Sequence, residues 1–508
     1  MYFLLASASG VLLALSFPKF GHPAFGWIAL APLLLAVAGP PPARPRAFFL
    51  GLTTGIVYFV GTLYWITRVM AVYGGFQPWV AVLLNAALIA YLALFPAIFA
   101  AIVARLASVF GWRGMIAAPC VWVATELGRT YVLTGFPWVL LGYSQATVLP
   151  IAQLASVFGV YGVSALVASV SAAAVLARRI LPAVVAGALV VGTATWGTLR
   201  IRSETLTHAG EAVRVGLVQG NVEQAEKFEA ARANEIFDSY LAMTRQAIGY
   251  GAELVVWPES STPFMFEEDP ASAARVRAIA REARVSILLG SDQIERGRPD
   301  KYYNSAFLVR RDGTTAGVYR KMHLVPFGEY VPLRRLLFFA APLVEAVGAG
   351  FFAGEKPELL PVDGHLISAA ICYEIVYPDL VRQFVRGGSE LLATITNDAW
   401  FGRTSAPYQH FAQASMRAVE EGRYLVRSAN TGISGIVDPY GRVLRESSIY
   451  ERAVILGEAR YLQASTFYQR HGDVFAYACL ALTIAMLLAS VSRPRSTKIT
   501  APSESGRH

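Results

Sequence analysis

The sequence predicts two parts: a polytopic α-helical membrane domain, and an α/β domain placed before a last apolar helix. Three observations predict this. Apolar residues make up 55% of the chain and charged residues only 16%, whereas a soluble protein carries about 25% charged residues. Residues 1–200 are almost continuously apolar, in runs near the roughly 20 residues that cross a hydrocarbon layer. From about 200 to 470, charge becomes frequent and short strand patterns alternate with amphipathic helical ones. A chain of 508 residues has room for more than one domain.

Seven spans are predicted in residues 1–200, over about 2–17, 23–39, 47–69, 78–105, 114–134, 151–177 and 180–198. An eighth falls within 471–492. The first span lacks the basic flank of a secretory signal and further spans follow at once, so it reads as a retained anchor. Between 134 and 150, Gly135, Pro137 and Pro150 interrupt the pattern. This stretch is expected to lie along the membrane interface, anchored by Trp138 and Tyr143. Arg44 with Arg46, Arg105 with Arg113, and Arg178 with Arg179 occupy alternate loops. The positive-inside rule places those loops in the cytoplasm. The opposite loops hold only Lys19, Arg68 and Arg129. Seven spans from a cytoplasmic N-terminus leave residues 201–470 outside the cytoplasm. Residues 493–508, polar and basic, are expected to be a disordered cytoplasmic tail.

Within 201–470 the elements follow in order. Val213, Val215 and Leu217 give a period-two strand, and Ile236, Tyr240, Met243 and Ala247 share one helix face. Strands are predicted near 253–258, 285–291, 305–310 and 316–320, with Asp312-Gly313 turning between the last two. Others are predicted near 365–372, 391–396 and 432–438, with a helix near 408–427.

Two of these strands end in reactive side chains. Apolar Leu366 to Ile371 runs into Cys372-Tyr373-Glu374, and Val255-Val256-Trp257-Pro258 runs into Glu259. A third stretch sets Lys321 just before a Pro/Gly loop that carries Glu329. By itself Cys372 also reads as a small core hydrophobe. A nucleophilic thiol, with an ordinary pKa near about 8.5, needs a base or a cationic neighbour. Glu259 is the type of group that takes a thiol proton, provided its strand tip lies beside that of Cys372. Lys321 is the type that holds an oxyanion. A rival constellation joins Cys372 to His323 or His410 and Asn397, as in papain-like proteases. Cys120 and Cys479 fall in apolar spans and read as packing residues. No Cys/His cluster has zinc spacing and no Gly-rich phosphate loop occurs, so no cofactor or metal is expected. The net charge of +9 is scattered, which argues against a nucleic-acid partner.

The phrases Trp257-Pro258-Glu259-Ser260, His323-Leu324-Val325-Pro326-Phe327-Gly328-Glu329, Ile371-Cys372-Tyr373-Glu374 and Asn397-Asp398-Ala399-Trp400-Phe401-Gly402 stand together in one chain. Their type and order resemble the carbon–nitrogen hydrolase (nitrilase) superfamily. With apolar spans on both sides, the chain resembles the apolipoprotein N-acyltransferase family. That resemblance implies a nitrilase-like, four-layer α-β-β-α sandwich on an eight-helix membrane base. It implies Cys372 as nucleophile, Glu259 as general base and Lys321 as oxyanion stabiliser. Glu329, Tyr373 and Glu374 match supporting positions, and Asn304 and Trp400 would shape the pocket. It further implies acyl transfer from a membrane phospholipid, through a Cys thioester, to the α-amine of a diacylglyceryl-cysteine on an apolipoprotein. The enzyme would be an inner-membrane monomer. The chain departs from the family at Phe228, where Trp is usual after Lys227, so an indole N–H donor is missing. Two alternatives stay open: a membrane-tethered amidase, and a lipid-binding or transport module with an inactive hydrolase domain. The apolar run from Leu336 to Val344, continuing to Phe351-Phe352, reads either as a core helix or as a loop dipping into the outer leaflet. Phe264, Met265 and Phe266 could add a second such contact.

Overall fold

The computed structural model describes residues 1–38, 44–224, 226–326, 328–330 and 350–492. Its strands in chain order are β1 (Glu211–Gln219), β2 (Leu254–Val256), β3 (Ser286–Glu295), β4 (Lys301–Val309), β5 (Thr315–Arg320) and β6 (Leu360–Val362). They continue with β7 (His365–Ile371), β8 (Leu391–Thr396), β9 (Leu425–Ala429), β10 (Gly435–Val437), β11 (Val443–Glu446) and β12 (Ala453–Tyr461). One sheet runs β12-β1-β2-β3-β4-β5 and the other β11-β10-β9-β8-β7-β6. The central trio of each is parallel, β1-β2-β3 and β7-β8-β9. Parallel neighbours end on the same edge, so the loops leaving β1, β2 and β3 share one end of the first sheet, and those leaving β7, β8 and β9 share one end of the second.

The first sheet separates two cores. Val213, Val215 and Leu217 of β1 join the large core between the sheets, while Val218 joins the core under the outer helices. The helix Ala233–Gly249 buries the predicted face, Ile236, Tyr240, Met243 and Ala247, in that outer core. The helices Pro378–Arg386 and Ala406–Glu421 cover the second sheet. Ser428 Oγ donates to the Val218 carbonyl at 2.8 Å, tying the sheets face to face. The layering is α-β-β-α.

The predicted helix 408–427 ends early. It spans Ala406–Glu421, and Gly422 at φ +64° stops it. Leu425–Ala429 is instead β9, a fully buried strand parallel to β8. A strand buried on both faces shows no alternation, so its apolar run continues the helical pattern unnoticed. The short β6 and the flanking β11 and β12 were likewise not predicted. Phe264 and Phe266 pack into the outer core rather than forming a second membrane contact: Phe266 is fully buried, its ring tilted 5.4 Å from Phe307, and Phe264 packs edge-on to Phe237 at 4.8 Å. The run Leu336 to Val344 lies outside the described residues. Its continuation is backbone-paired, Phe351 N–H to the Glu329 carbonyl at 3.1 Å and Phe352 N–H to the Tyr302 carbonyl at 2.8 Å.

Outside the sandwich the chain is helical and apolar. Five described helices are long and apolar enough to cross a membrane: Arg46–Leu63, Pro78–Phe110, Ala155–Val175, Ile180–Arg202 and Val474–Val491. Tyr2–Ala14 and Pro23–Ala38 are shorter apolar helices. The predicted span 114–134 is divided into Trp112–Ile116 and Ala118–Tyr131. Small residues allow close helix packing: a Cβ on Gly55 would lie 2.7 Å from Ala93 Cα. Ile180–Arg202 turns apolar side chains such as Ile180, Val191 and Leu199 outward, as a lipid-facing helix does.

In the stretch 134–150, Trp138 and Tyr143 are not headgroup anchors but are buried in protein. Trp138 is 1% exposed and Tyr143 2%. The Trp138 indole N–H donates to Gln409 Oε1 at 2.8 Å, and Arg417 Nη2 donates to Tyr143 Oη at 2.7 Å. Gln409 and Arg417 belong to the helix Ala406–Glu421. The aromatic residues therefore anchor the segment against the sandwich, not against headgroups.

Candidate active site

Each reactive side chain stands where a strand runs out. Beyond β2, Trp257 N–H still bonds the Leu288 carbonyl at 2.8 Å, so the strand direction persists until Glu259. Ser260 then turns with φ +40°. Beyond β7, Cys372 itself has φ +53° and opens a 3-10 helix, Cys372–Val376. Non-glycine residues in this left-handed region are held there by their surroundings. Lys321 directly follows β5, and its N–H bonds the Asn304 carbonyl at 2.9 Å.

Glu259, Lys321 and Cys372 are 6%, 1% and 7% exposed. Glu259 Oε1 accepts from Asn304 Nδ2 at 2.7 Å and from Lys321 Nζ at 3.3 Å. Its Oε2 accepts from the Asn397 N–H at 2.8 Å. Lys321 Nζ also donates to Glu329 Oε1 at 2.8 Å, and Glu329 Oε2 accepts from the Val325 N–H at 2.7 Å. Asn304 Nδ2 reaches Glu329 Oε1 at 3.2 Å. Glu329 thus orients Lys321, and Asn304 braces both carboxylates.

The electrostatics follow from this shared burial. Burial and the Glu259 carboxylate push the Cys372 thiol well up, and Lys321 and the Thr396 hydroxyl do not reverse this. Burial would raise Glu259, but Lys321, Asn304, Lys227 and the Asn397 N–H bring it below the ordinary value. Burial would lower Lys321, yet Glu329 and Glu259 hold it above its usual range. The resting site is a neutral thiol beside a carboxylate and an ammonium.

Glu374 is a seam. Its Oε1 accepts from Tyr319 Oη at 2.7 Å, Met322 N–H at 2.7 Å and His323 N–H at 3.0 Å. Its Oε2 accepts from Ile371 N–H at 2.7 Å. One carboxyl group, pushed up to about 7 by burial, thereby joins the end of β7 to the loop of Lys321. Tyr373 faces the helical part: its ring lies 6.3 Å from both Phe136 and Trp138. Trp400 sits edge-on to Tyr73 at 5.1 Å. A groove of about 280 Å³ opens alongside, lined by Thr130, Tyr131, Met322, His323 and Tyr377 among others. The backbone of Phe228 closes a 3-10 turn, Glu226–Phe228; its side chain lies outside the described residues.

Sequence reasoning missed the support beneath Cys372. His410 Nε2 donates to the Cys372 carbonyl at 3.1 Å, and its Nδ1 lies 3.1 Å from Asp398 Oδ1 and 3.0 Å from Arg427 Nη2. Arg427 Nη2 donates to Asp398 Oδ2 at 2.9 Å. All three side chains are fully buried. The rival constellation thus places His410 on a backbone oxygen, and the His323 ring lies tilted 3.7 Å from that of Tyr377. Lys227, whose Nζ lies 3.4 Å from the Glu259 carbonyl oxygen, was also missed as a neighbour of the site.

The family model for the apolipoprotein N-acyltransferase N-terminal domain matches residues 9–173, and that for the carbon–nitrogen hydrolases matches residues 214–463. A Geobacter metallireducens protein named apolipoprotein N-acyltransferase is 42% identical over 94% of this chain and 93% of its own length. One of the same name from Methylococcus capsulatus is 34% identical over 99% of both. A solved amidase from Nesterenkonia sp. is 22% identical, with a TM-score of 0.40 over 53% of this chain and 97% of the amidase. Two relatives this alike over nearly their full lengths place the chain: it belongs to the apolipoprotein N-acyltransferase family.

Proposed function

We propose that Cys372 carries the acyl group, Glu259 moves the proton and Lys321 holds the oxyanion, in a transfer from a membrane phospholipid to the N-terminal amine of a diacylglyceryl-cysteine apolipoprotein. In the first half the Cys372 Sγ–acyl carbon bond forms and the ester C–O bond breaks. The thiol proton passes to Glu259 and then to the departing lysophospholipid oxygen. In the second half the amine nitrogen bonds the acyl carbon and the C–S bond breaks. The amine proton returns through Glu259 to the thiolate. The observation that carries this reading is the convergence of Glu259, Lys321 and Cys372, all buried, at strand ends of two facing sheets. Because the thiol is raised and Glu259 is lowered, proton transfer accompanies attack rather than preceding it. Lys321 already points at carboxylates, so charge developing on the acyl oxygen meets a fixed cation. Burial and Lys321 lower His323 to about 4, which speaks against that histidine as the base.

The domain is read as extracytoplasmic, on seven preceding spans and one following, and the enzyme as an inner-membrane monomer. The Arg-rich alternate loops support the orientation. A transferase differs from an amidase in that its thioester must outlast contact with water. Mass spectrometry of the enzyme incubated with phospholipid alone tests the reading. One acyl group on Cys372, labile to hydroxylamine, with lysophospholipid released, is expected. Cys372→Ala must form none. Free fatty acid appearing as fast as the adduct would make the chain a hydrolase.

A further inference from the structure

The three basic residues in loops predicted to face outward have different fates. Arg129 donates to the Trp138 carbonyl at 2.7 Å and the Val139 carbonyl at 3.3 Å, so it serves the fold. Lys19 stands 5.7 Å from the ring centroids of both Phe20 and Tyr408. Arg68 is exposed on the helix Trp65–Val72 and, among the described residues, makes neither an ion pair nor a hydrogen bond. It rests against the backbone of Gly402, where a Cβ would come within 2.6 Å of Arg68 Nε. Next along the chain, exposed Arg403 places its guanidinium 4.6 Å over the Tyr450 ring, and among the described residues it has no carboxylate partner. Both guanidinium groups act on the Tyr450 hydroxyl. On this surface, among the described residues, neither of these two cations pairs with a carboxylate.

That surface adjoins the site. Asn397 N–H bonds Glu259 Oε2 at 2.8 Å, and two residues on, the Ala399 carbonyl accepts from Tyr73 Oη at 3.1 Å. Tyr73 also holds Trp400 and caps the helix that carries Arg68. An acyl ester of a phospholipid is one glycerol unit from its phosphate, so a phosphate bound here leaves the ester close to the Asn397 loop. We propose that Arg68 and Arg403 form the subsite for the phosphate of the phospholipid donor, a proposal that rests on the donor reading above. Gly402, at φ +63°, suits a left-handed backbone and lets Arg68 lie close against it, and two forked guanidinium groups suit a phosphate's oxygens. Arg68 and Glu223 act in opposite directions on the Tyr73 hydroxyl.

The test compares two donors on the full-length enzyme in detergent micelles: phosphatidylglycerol, and p-nitrophenyl palmitate, an ester without phosphate. Acylation of Cys372 is followed by mass. Arg68→Gln with Arg403→Gln should slow acylation from phosphatidylglycerol by about tenfold or more, with the p-nitrophenyl ester rate within about twofold of the parent and thermal unfolding unchanged. Equal losses with both donors would assign the arginines to loop structure and overturn the subsite. No loss with either would overturn it too. If the parent enzyme takes acyl groups from the p-nitrophenyl ester but never from phospholipid, the donor reading fails, and the subsite with it.

Discussion

At the scale of single residues, the site is a set of charges that hold one another in place. Glu259→Gln should keep the Asn304 and Asn397 neighbourhood but lose the proton carrier, and Lys321→Ala should lose the cation at the oxyanion. Each is expected to slow thioester formation by on the order of a hundredfold or more, measured as single-turnover acylation of Cys372. Glu374→Gln tests the seam. The amide would set N–H groups against donors now bonded to Oε1 or Oε2. A cost of about 1–3 kcal/mol is expected, with thermal midpoint and acylation rate falling together. These three residues were legible from the sequence because each stands beside a break in an apolar run. His410, Asp398 and Arg427 were not, because a buried side chain that serves a backbone carbonyl leaves no periodic trace. His410 looked like a base only because imidazole is the residue type for that task.

At the scale of elements, the Asp398 cluster ties the loop after β8 to β9 and to the helix Ala406–Glu421. Burial alone would raise the Asp398 carboxyl, but Arg427 and His410 hold it down to about 2, against an ordinary 3.8. A carboxylate lowered by folding adds stability that is fully present above its unfolded value and is lost as pH falls through the folded one. Between about pH 4 and 2 the enzyme should therefore lose stability, and Asp398→Asn should flatten that limb of a thermal-midpoint-versus-pH curve while lowering its plateau. Legibility at this scale followed periodicity. β1 and the helix Ala233–Gly249 are half-buried, so their patterns name both the element and its inner face. β9 is buried on both sides and merged with the preceding helix, although Gly422 marked the boundary. β12 pairs antiparallel with β1 across more than two hundred residues of chain, and no local pattern encodes so distant a partner.

At the scale of the whole molecule, orientation is the decisive prediction. With the three native cysteines replaced, a Cys introduced at Ser203 should react with an impermeant thiol reagent added outside the inner membrane, and one at Arg178 should not. The opposite result would turn the active site toward the cytoplasm and remove the lipoprotein substrate. The two-part architecture was readable from composition, but the join was not. An aromatic ring with a polar tip suits a headgroup layer and a protein interface equally well, so the sequence around Trp138 could not say which it meets. Trp138 lies 5.2 Å from Trp65, 6.3 Å from Tyr373 and 5.4 Å from His410, ring to ring. It touches Tyr373, the residue after the proposed nucleophile Cys372, and His410, the side chain that holds the Cys372 carbonyl. A water-soluble fragment cut near Ser203 would consequently be no miniature of this enzyme: it would arrive with one wall of its catalytic chamber torn away, and Tyr373 left facing solvent.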